Sequence, residues 1–320
     1  MSIFATKFSK NDRTQRIVTT FFLWHEYLEV YELVRFSLAS KKALALLSSQ
    51  LTALNLSKFK WKDETLYQRG SDFHSALQFF EHHHVLSRVR QVRLLNTSYL
   101  LPDIFDLILL KFNYLTYLRI SKIELEYRDS DALRLLLFKV AKTLRTFHVD
   151  SSILKTLDLS MCASLTSLQL PHAFSLQRLQ INPACKLADF NIGHSRISGK
   201  DLLALLQPHL NSLQRVSITY SACITGDFVF PRMPALQHLN ISQCTRIRSI
   251  EMQAPHLAYL NVQHCYVLQS ITFAEPSPNL LELDLRMLQK FVHLNNAPVT
   301  CTVLDEGSQL MDLDMNIATN

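Results

Sequence analysis

A spaced pattern of apolar residues, L-x-x-L-x-L with any aliphatic residue or Phe allowed at an anchor, constrains this chain more than any other feature. It recurs at Val89-Val92-Leu94, Leu115-Leu118-Ile120, Leu144-Phe147-Val149, Leu165-Leu168-Leu170, Leu187-Phe190-Ile192, Leu213-Val216-Ile218, Leu236-Leu239-Ile241, Leu257-Leu260-Val262 and Leu280-Leu283-Leu285. Fainter copies stand at Leu51-Leu54-Leu56 and Leu310-Leu313-Met315. From Val89 to Leu280 the copies start 26, 29, 21, 22, 26, 23, 21 and 23 residues apart. The alternating L-x-L part is a short strand with its anchors pointing inward, and one such strand buries its leucines only against the next copy. With 57 leucines and 48% hydrophobic residues in 320, the chain has the material for a large stacked core and is not a disordered one. The five glycines form no cluster, which argues against the glycine-rich phosphate loops of nucleotide-using enzymes.

A second set of matches runs 10 or 11 residues out of phase, at Leu154-Leu157-Leu159, Leu176-Leu179-Ile181, Ile247-Ile250-Met252 and Leu268-Ile271-Phe273. On the same face these would halve the repeat, so they are expected on the opposite, convex side as return segments. Other returns read as helices by their apolar spacing: LLPDIFDLILLKFNY before Leu115, SDALRLLLFKVAKT before Leu144 and GKDLLALLQPHLNS before Leu213. After residue 50 the chain resembles leucine-rich-repeat proteins, whose repeats run about 20 to 29 residues. The resemblance implies an α/β fold: a horseshoe-shaped leucine-rich-repeat solenoid over residues 49–320, helix-backed early and strand-backed later, with a C-terminal cap.

Residues 16–47, RIVTTFFLWHEYLEVYELVRFSLASKKALALL, leave the repeat and read as two or three short helices. Within them Tyr27, Leu28, Glu29, Leu33, Arg35, Ser37, Leu38 and Lys41 resemble, in register, the second half of an F-box. Ser40 and Ala43 stand where Cys and Trp are usual in that family, and Arg16 and Ile17 replace its Leu-Pro start. The resemblance implies an F-box-like helical domain at residues 1–48 that docks on a Skp-type adaptor of a cullin ubiquitin ligase through Phe21, Tyr27, Leu28, Leu33, Phe36, Leu38 and Lys41. An F-box before leucine-rich repeats is a recurrent order in substrate receptors, which adds weight to the reading. The atypical motif leaves both a eukaryotic protein and a bacterial or viral mimic open as its source. The alternative is a plain repeat scaffold whose N-terminus only caps the solenoid.

The substrate-facing residues are expected on the concave face, at the x positions of each copy. Basic residues lead (Arg90, Arg93, Arg119, Arg145, His148), amides fill the middle, and carboxylates follow at Glu282, Asp284, Asp312 and Asp314. With Tyr117 and Tyr259 as aromatic anchors, such a face would orient a bipolar protein ligand. The charge is divided the same way: residues 1–150 hold 22 Lys and Arg against 15 Asp and Glu, while residues 151–320 hold 11 against 12. Without a Lys/Arg run or aromatic platforms, nucleic acid is an unlikely partner.

No catalytic constellation is legible, so no enzyme is expected. His82-His83-His84 would point in different directions from one helix and cannot all hold a metal. Cys244 and Cys265 stand eight residues after Leu236 and Leu257, where such repeats fill the bend after the strand. No C-x-x-C occurs, so neither metal nor cofactor is expected. The apolar run Ile104–Leu110 is broken by Asp106 and is far short of the about 20 residues of a membrane span. The start of the chain lacks a secretory apolar region, and six cysteines then read as reduced thiols of the cytoplasm or nucleus. The same basic, Ser/Thr-containing start is also compatible with a mitochondrial transit peptide, the weaker reading.

Overall fold

The structure is a computed structural model. It describes residues 45, 51–55, 82, 88–95, 112, 114–121, 127–150, 154–298, 301–306 and 314–316. The chain divides into two units, Met1–Arg119 and Ile120–Asn320. The F-box-like residues Phe21, Tyr27, Leu28, Leu33, Phe36, Leu38 and Lys41 lie outside the described residues, as does most of the helix expected before Leu115.

In unit one, β1 (Ala53–Asn55) and β2 (Gln91–Leu95) pair in parallel with Leu54 opposite Val92. The carbonyl of Arg90 accepts from the amides of Thr116 and Tyr117, where β3 (Tyr117–Ser121) begins before crossing the unit boundary. Val92, Leu94 and Leu118, all anchors of the repeat, are fully buried.

Unit two is a solenoid of about eight turns, predominantly β. Its long sheet consists of β4 (Thr146–Val149), β6 (Ser167–Leu170), β8 (Asp189–Gly193), β9 (Arg215–Thr219), β11 (His238–Asn240), β13 (Tyr259–Asn261), β15 (Glu282–Asp284) and β17 (Thr302–Leu304), in that spatial order and all parallel. The middle anchors line up in one register: Phe147, Leu168, Phe190, Val216, Leu239, Leu260 and Leu283, each essentially inaccessible to water. Stacking thus gives each strand the apolar neighbours that its own few residues cannot supply.

The out-of-phase matches form return strands, as their spacing predicts. β5 (Thr156–Leu159) and β7 (Arg178–Ile181) make a two-stranded sheet. The other return sheet has five strands, β10 (Gly226–Val229), β12 (Ile247–Met252), β14 (Ser270–Phe273), β16 (His293–Asn295) and β18 (Asp314–Asn316). Two return helices are present among the described residues, α1 (Tyr127–Val140) before β4 and α2 (Gly199–Leu206) before β9, the latter continued by a 3-10 turn at Gln207–His209.

Two expectations are corrected. The returns do not pass once from helix to strand: the order is α1, then β5 and β7, then α2, then the five-stranded sheet, so unit two is mostly β rather than α/β. Helical returns occur where the repeat lengthens to 29 and 26 residues, because a helix rises only about 1.5 Å per residue against about 3.3 Å for a strand and needs more chain to recross. The faint C-terminal copy is also misplaced. β18 pairs with β16 in the return sheet, so Asp314 is not on the long sheet, whose last described strand is β17, with Val303 opposite Leu283.

Candidate interaction surface

On the long sheet the outward positions form two rows on either side of the buried anchors. One contains Asp189, Arg215, His238, Tyr259 and Glu282; the other contains Asn191, Ser217, Asn240, Asn261 and Asp284. The second row shapes the turns. Asn240, Asn261 and Asp284 each accept, through Oδ1, the amide N–H two residues on, at 3.0, 2.9 and 3.1 Å. Three residues beyond each, Gln243, His264 and Met287 take left-handed backbone at φ 61°, 59° and 62°, and His194 and Tyr220 hold the same place after Asn191 and Ser217. Cys244 and Cys265 then fill the bend, each thiol donating at 3.2 Å to the carbonyl of Ile218 or Ile241 on the preceding turn.

The charges on this face are largely paired within the chain. Arg215 grips Asp189 with two nitrogens, one of them 2.7 Å from Oδ2. Asp284 is fully buried, and Arg286 bonds it through Nε at 2.9 Å and Nη2 at 2.7 Å. Burial alone would push the Asp284 carboxyl up; the Arg286 hydrogen bonds, with the charges of Arg286 and His264, hold it below the ordinary carboxylate value. Asp284, expected as an exposed contact, is therefore a turn-forming, charge-paired residue. Asp312 lies outside the described residues.

The remaining expected contacts are distributed as follows. Arg145 is exposed and His148 half-buried on or next to β4, the first strand of the eight, whereas Tyr259 and Glu282 sit side by side in register toward the other end. In unit one the guanidinium of Arg93 lies over the Tyr117 ring at 5.5 Å, and that of Arg90 over Tyr114 at 5.0 Å. Arg119 is half-buried on β3. Asp189 and Arg215 hold the identical x position of consecutive copies, the one sequence signal of a pairing that the folded register brings about.

A stack of rings at the exits of β6, β8 and β9 goes unmarked in the sequence. His194 lies between Phe174, 4.3 Å away, and Tyr220, 4.1 Å away, with His172 at 5.6 Å. Burial and the neighbouring His172 charge lower the His194 pKa. On the return side a cleft of about 520 Å³ runs between α1 and β5, lined by Leu133, Arg134, Leu157 and Arg178 among others. Among the described residues no group of three or more His, Cys, Asp or Glu is arranged to hold a metal, and no helix is long and apolar enough to cross a membrane.

No family model matches the sequence, and no curated protein matches it. Among solved structures the chain is similar to one in the crystal structure of the Rad7 and Elc1 complex in yeast, at 11% identity and a TM-score of 0.33, over 74% of this chain and 73% of that one. At that identity and TM-score the likeness bears on neither partner nor activity.

Proposed function

We propose that the chain is a non-catalytic adaptor of the cytoplasm or nucleus: the long sheet takes a segment of a protein substrate, and the N-terminal helices dock on a Skp-type adaptor of a cullin ubiquitin ligase. The observation that carries the first half is the row of registered, outward side chains on the long sheet, in which Arg215, His238 and Tyr259 stand next to one another on consecutive strands. Arginine and tyrosine are the residues that most often anchor protein interfaces. The second half rests on the F-box resemblance of residues 27–41.

A pull-down with a purified Skp-type adaptor tests it, using the intact chain and a Leu28→Asp, Leu33→Asp double variant with its fold checked by circular dichroism. The intact chain should retain the adaptor and the variant should lose it. Loss of neither, or failure of the intact chain to bind, removes the ligase role. The alternative is a plain repeat scaffold whose N-terminus only caps the array. On that reading, deleting residues 1–47 leads to aggregation and has no effect on a ligase.

A further inference from the structure

We infer that Tyr259 and Glu282 form a receptor for one guanidinium group, an arginine side chain of the protein segment that the long sheet takes; the inference rests on the interaction reading above. Asp189, Glu282 and Asp284 all belong to the long sheet. Two of the three have an arginine of their own chain: Arg215 holds Asp189 and Arg286 holds Asp284. Glu282 is half-buried; its backbone amide donates to the Ala258 carbonyl, while its carboxylate accepts no hydrogen bond and joins no ion pair among the described residues. Arg286, the nearest cation in sequence, commits both Nε and Nη2 to Asp284.

The neighbour of Glu282 makes this carboxylate a site. Tyr259 stands opposite it on the adjacent strand, and strand spacing of about 4.8 Å puts ring and carboxylate side by side. The ring is held in place: Asn261 Nδ2 donates to the Tyr259 hydroxyl at 3.1 Å, and the His238 ring lies 6.0 Å away. Leu281, just before Glu282, is 69% exposed and offers an apolar surface to the methylene stem of a long cationic side chain. A planar guanidinium can lie over a ring within about 6 Å of its centroid and direct its N–H groups to a carboxylate at the edge.

The chain builds each half of this arrangement elsewhere. Arg93 lies over Tyr117 and Arg90 over Tyr114, at 5.5 and 5.0 Å. Arg215 reaches Asp189, and Arg248 reaches Asp227, each across one strand spacing. Tyr259 and Glu282 bring ring and carboxylate together on one half-buried face, where no cation among the described residues pairs with the carboxylate and a partner's guanidinium would complement it.

The test uses the full ¹⁵N-labelled chain, titrated with Nα-acetyl-arginine amide and, as the neutral isostere, Nα-acetyl-citrulline amide. Saturable shifts should appear at Tyr259 and Glu282 with the arginine derivative and not with citrulline. Glu282→Gln should weaken binding about three- to tenfold and Tyr259→Leu about threefold, while Tyr259→Phe, which keeps the ring, should stay within about twofold. Equal response to citrulline, shifts confined to other residues, or unchanged affinity in Glu282→Gln overturns the proposal. If the cation does not bind while a protein segment still docks on the long sheet, the receptor falls and the interaction reading stands. If the cation binds but no protein partner displaces it, the interaction reading falls instead.

Discussion

Large side chains occupy left-handed backbone at five successive turns of the long sheet: His194, Tyr220, Gln243, His264 and Met287. Such a residue costs about 1–2 kcal/mol where glycine would be nearly free, and the Asx turns ahead of three of them offset part of that. Deeper in the turns two kinds of titratable side chain report on packing. His209 is buried, its Nδ1–H donating to the Cys185 carbonyl at 3.1 Å while Nε2 has no partner, and burial lowers its pKa. A neutral histidine in the fold that takes up a proton once unfolded makes the unfolded state bind more protons, so stability falls as pH drops through about 6.5, the unfolded value. Chemical denaturation between pH 7.5 and 5.5 should show this loss, and His209→Gln, which keeps a donor for Cys185, should reduce it, His194 supplying the same sign of dependence. Among the thiols, burial pushes Cys162 and Cys244 up to about 11 and Cys265 up to about 12, whereas Cys223 is exposed. A thiol reagent at pH 8 should modify Cys223 in the native chain and reach the other three only after unfolding; early labelling of Cys265, mapped by peptide mass, would contradict the packing described here.

At the scale of the element, the alternation of helix and strand on the return side follows from local chemistry. α2 starts at Ser198, whose Oγ accepts from the Asp201 amide at 3.2 Å and donates to the Asp201 carboxylate at 2.6 Å, and it buries Leu202 and Leu206. Ser198→Ala should cost about 1 kcal/mol in urea denaturation without altering the strands. The return strands β12 and β14 were legible because Ile247, Ile250 and Met252, and Leu268, Ile271 and Phe273, repeat the anchor spacing. β10 was not, since GDFV presents a single buried anchor, Phe228, with Phe230 just beyond it. Nor does any motif mark Gly193, yet a Cβ there would stand 2.2 Å from the Pro171 carbonyl oxygen. Only the meeting of two turns makes that position obligatory for glycine.

For unit two as a whole, stability is shared between neighbouring turns, so the place of a residue in the stack matters as much as its identity. Leu260 packs in register between Leu239 and Leu283, whereas Val303 sits on β17 with only Leu283 as its registered anchor among the described strands. Leu260→Ala should therefore cost about 2–5 kcal/mol, and Val303→Ala clearly less, measured as shifts of the urea midpoint at constant slope. Equal shifts would mean that the stack is not held by nearest neighbours.

The sequence by itself determined the repeat, its phase and the two faces of each strand, because a period of two residues within a period of 21 to 29 leaves one way to bury the anchor leucines. It also placed Tyr259 and Glu282 outward at matching positions of consecutive copies. Tertiary structure alone decided which charges remain for a partner. Whether a carboxylate is open, like Glu282, or consumed, like Asp189 and Asp284, depends on an arginine reaching it across a strand or around a turn, and that reach is set by the register and turn geometry of the folded stack.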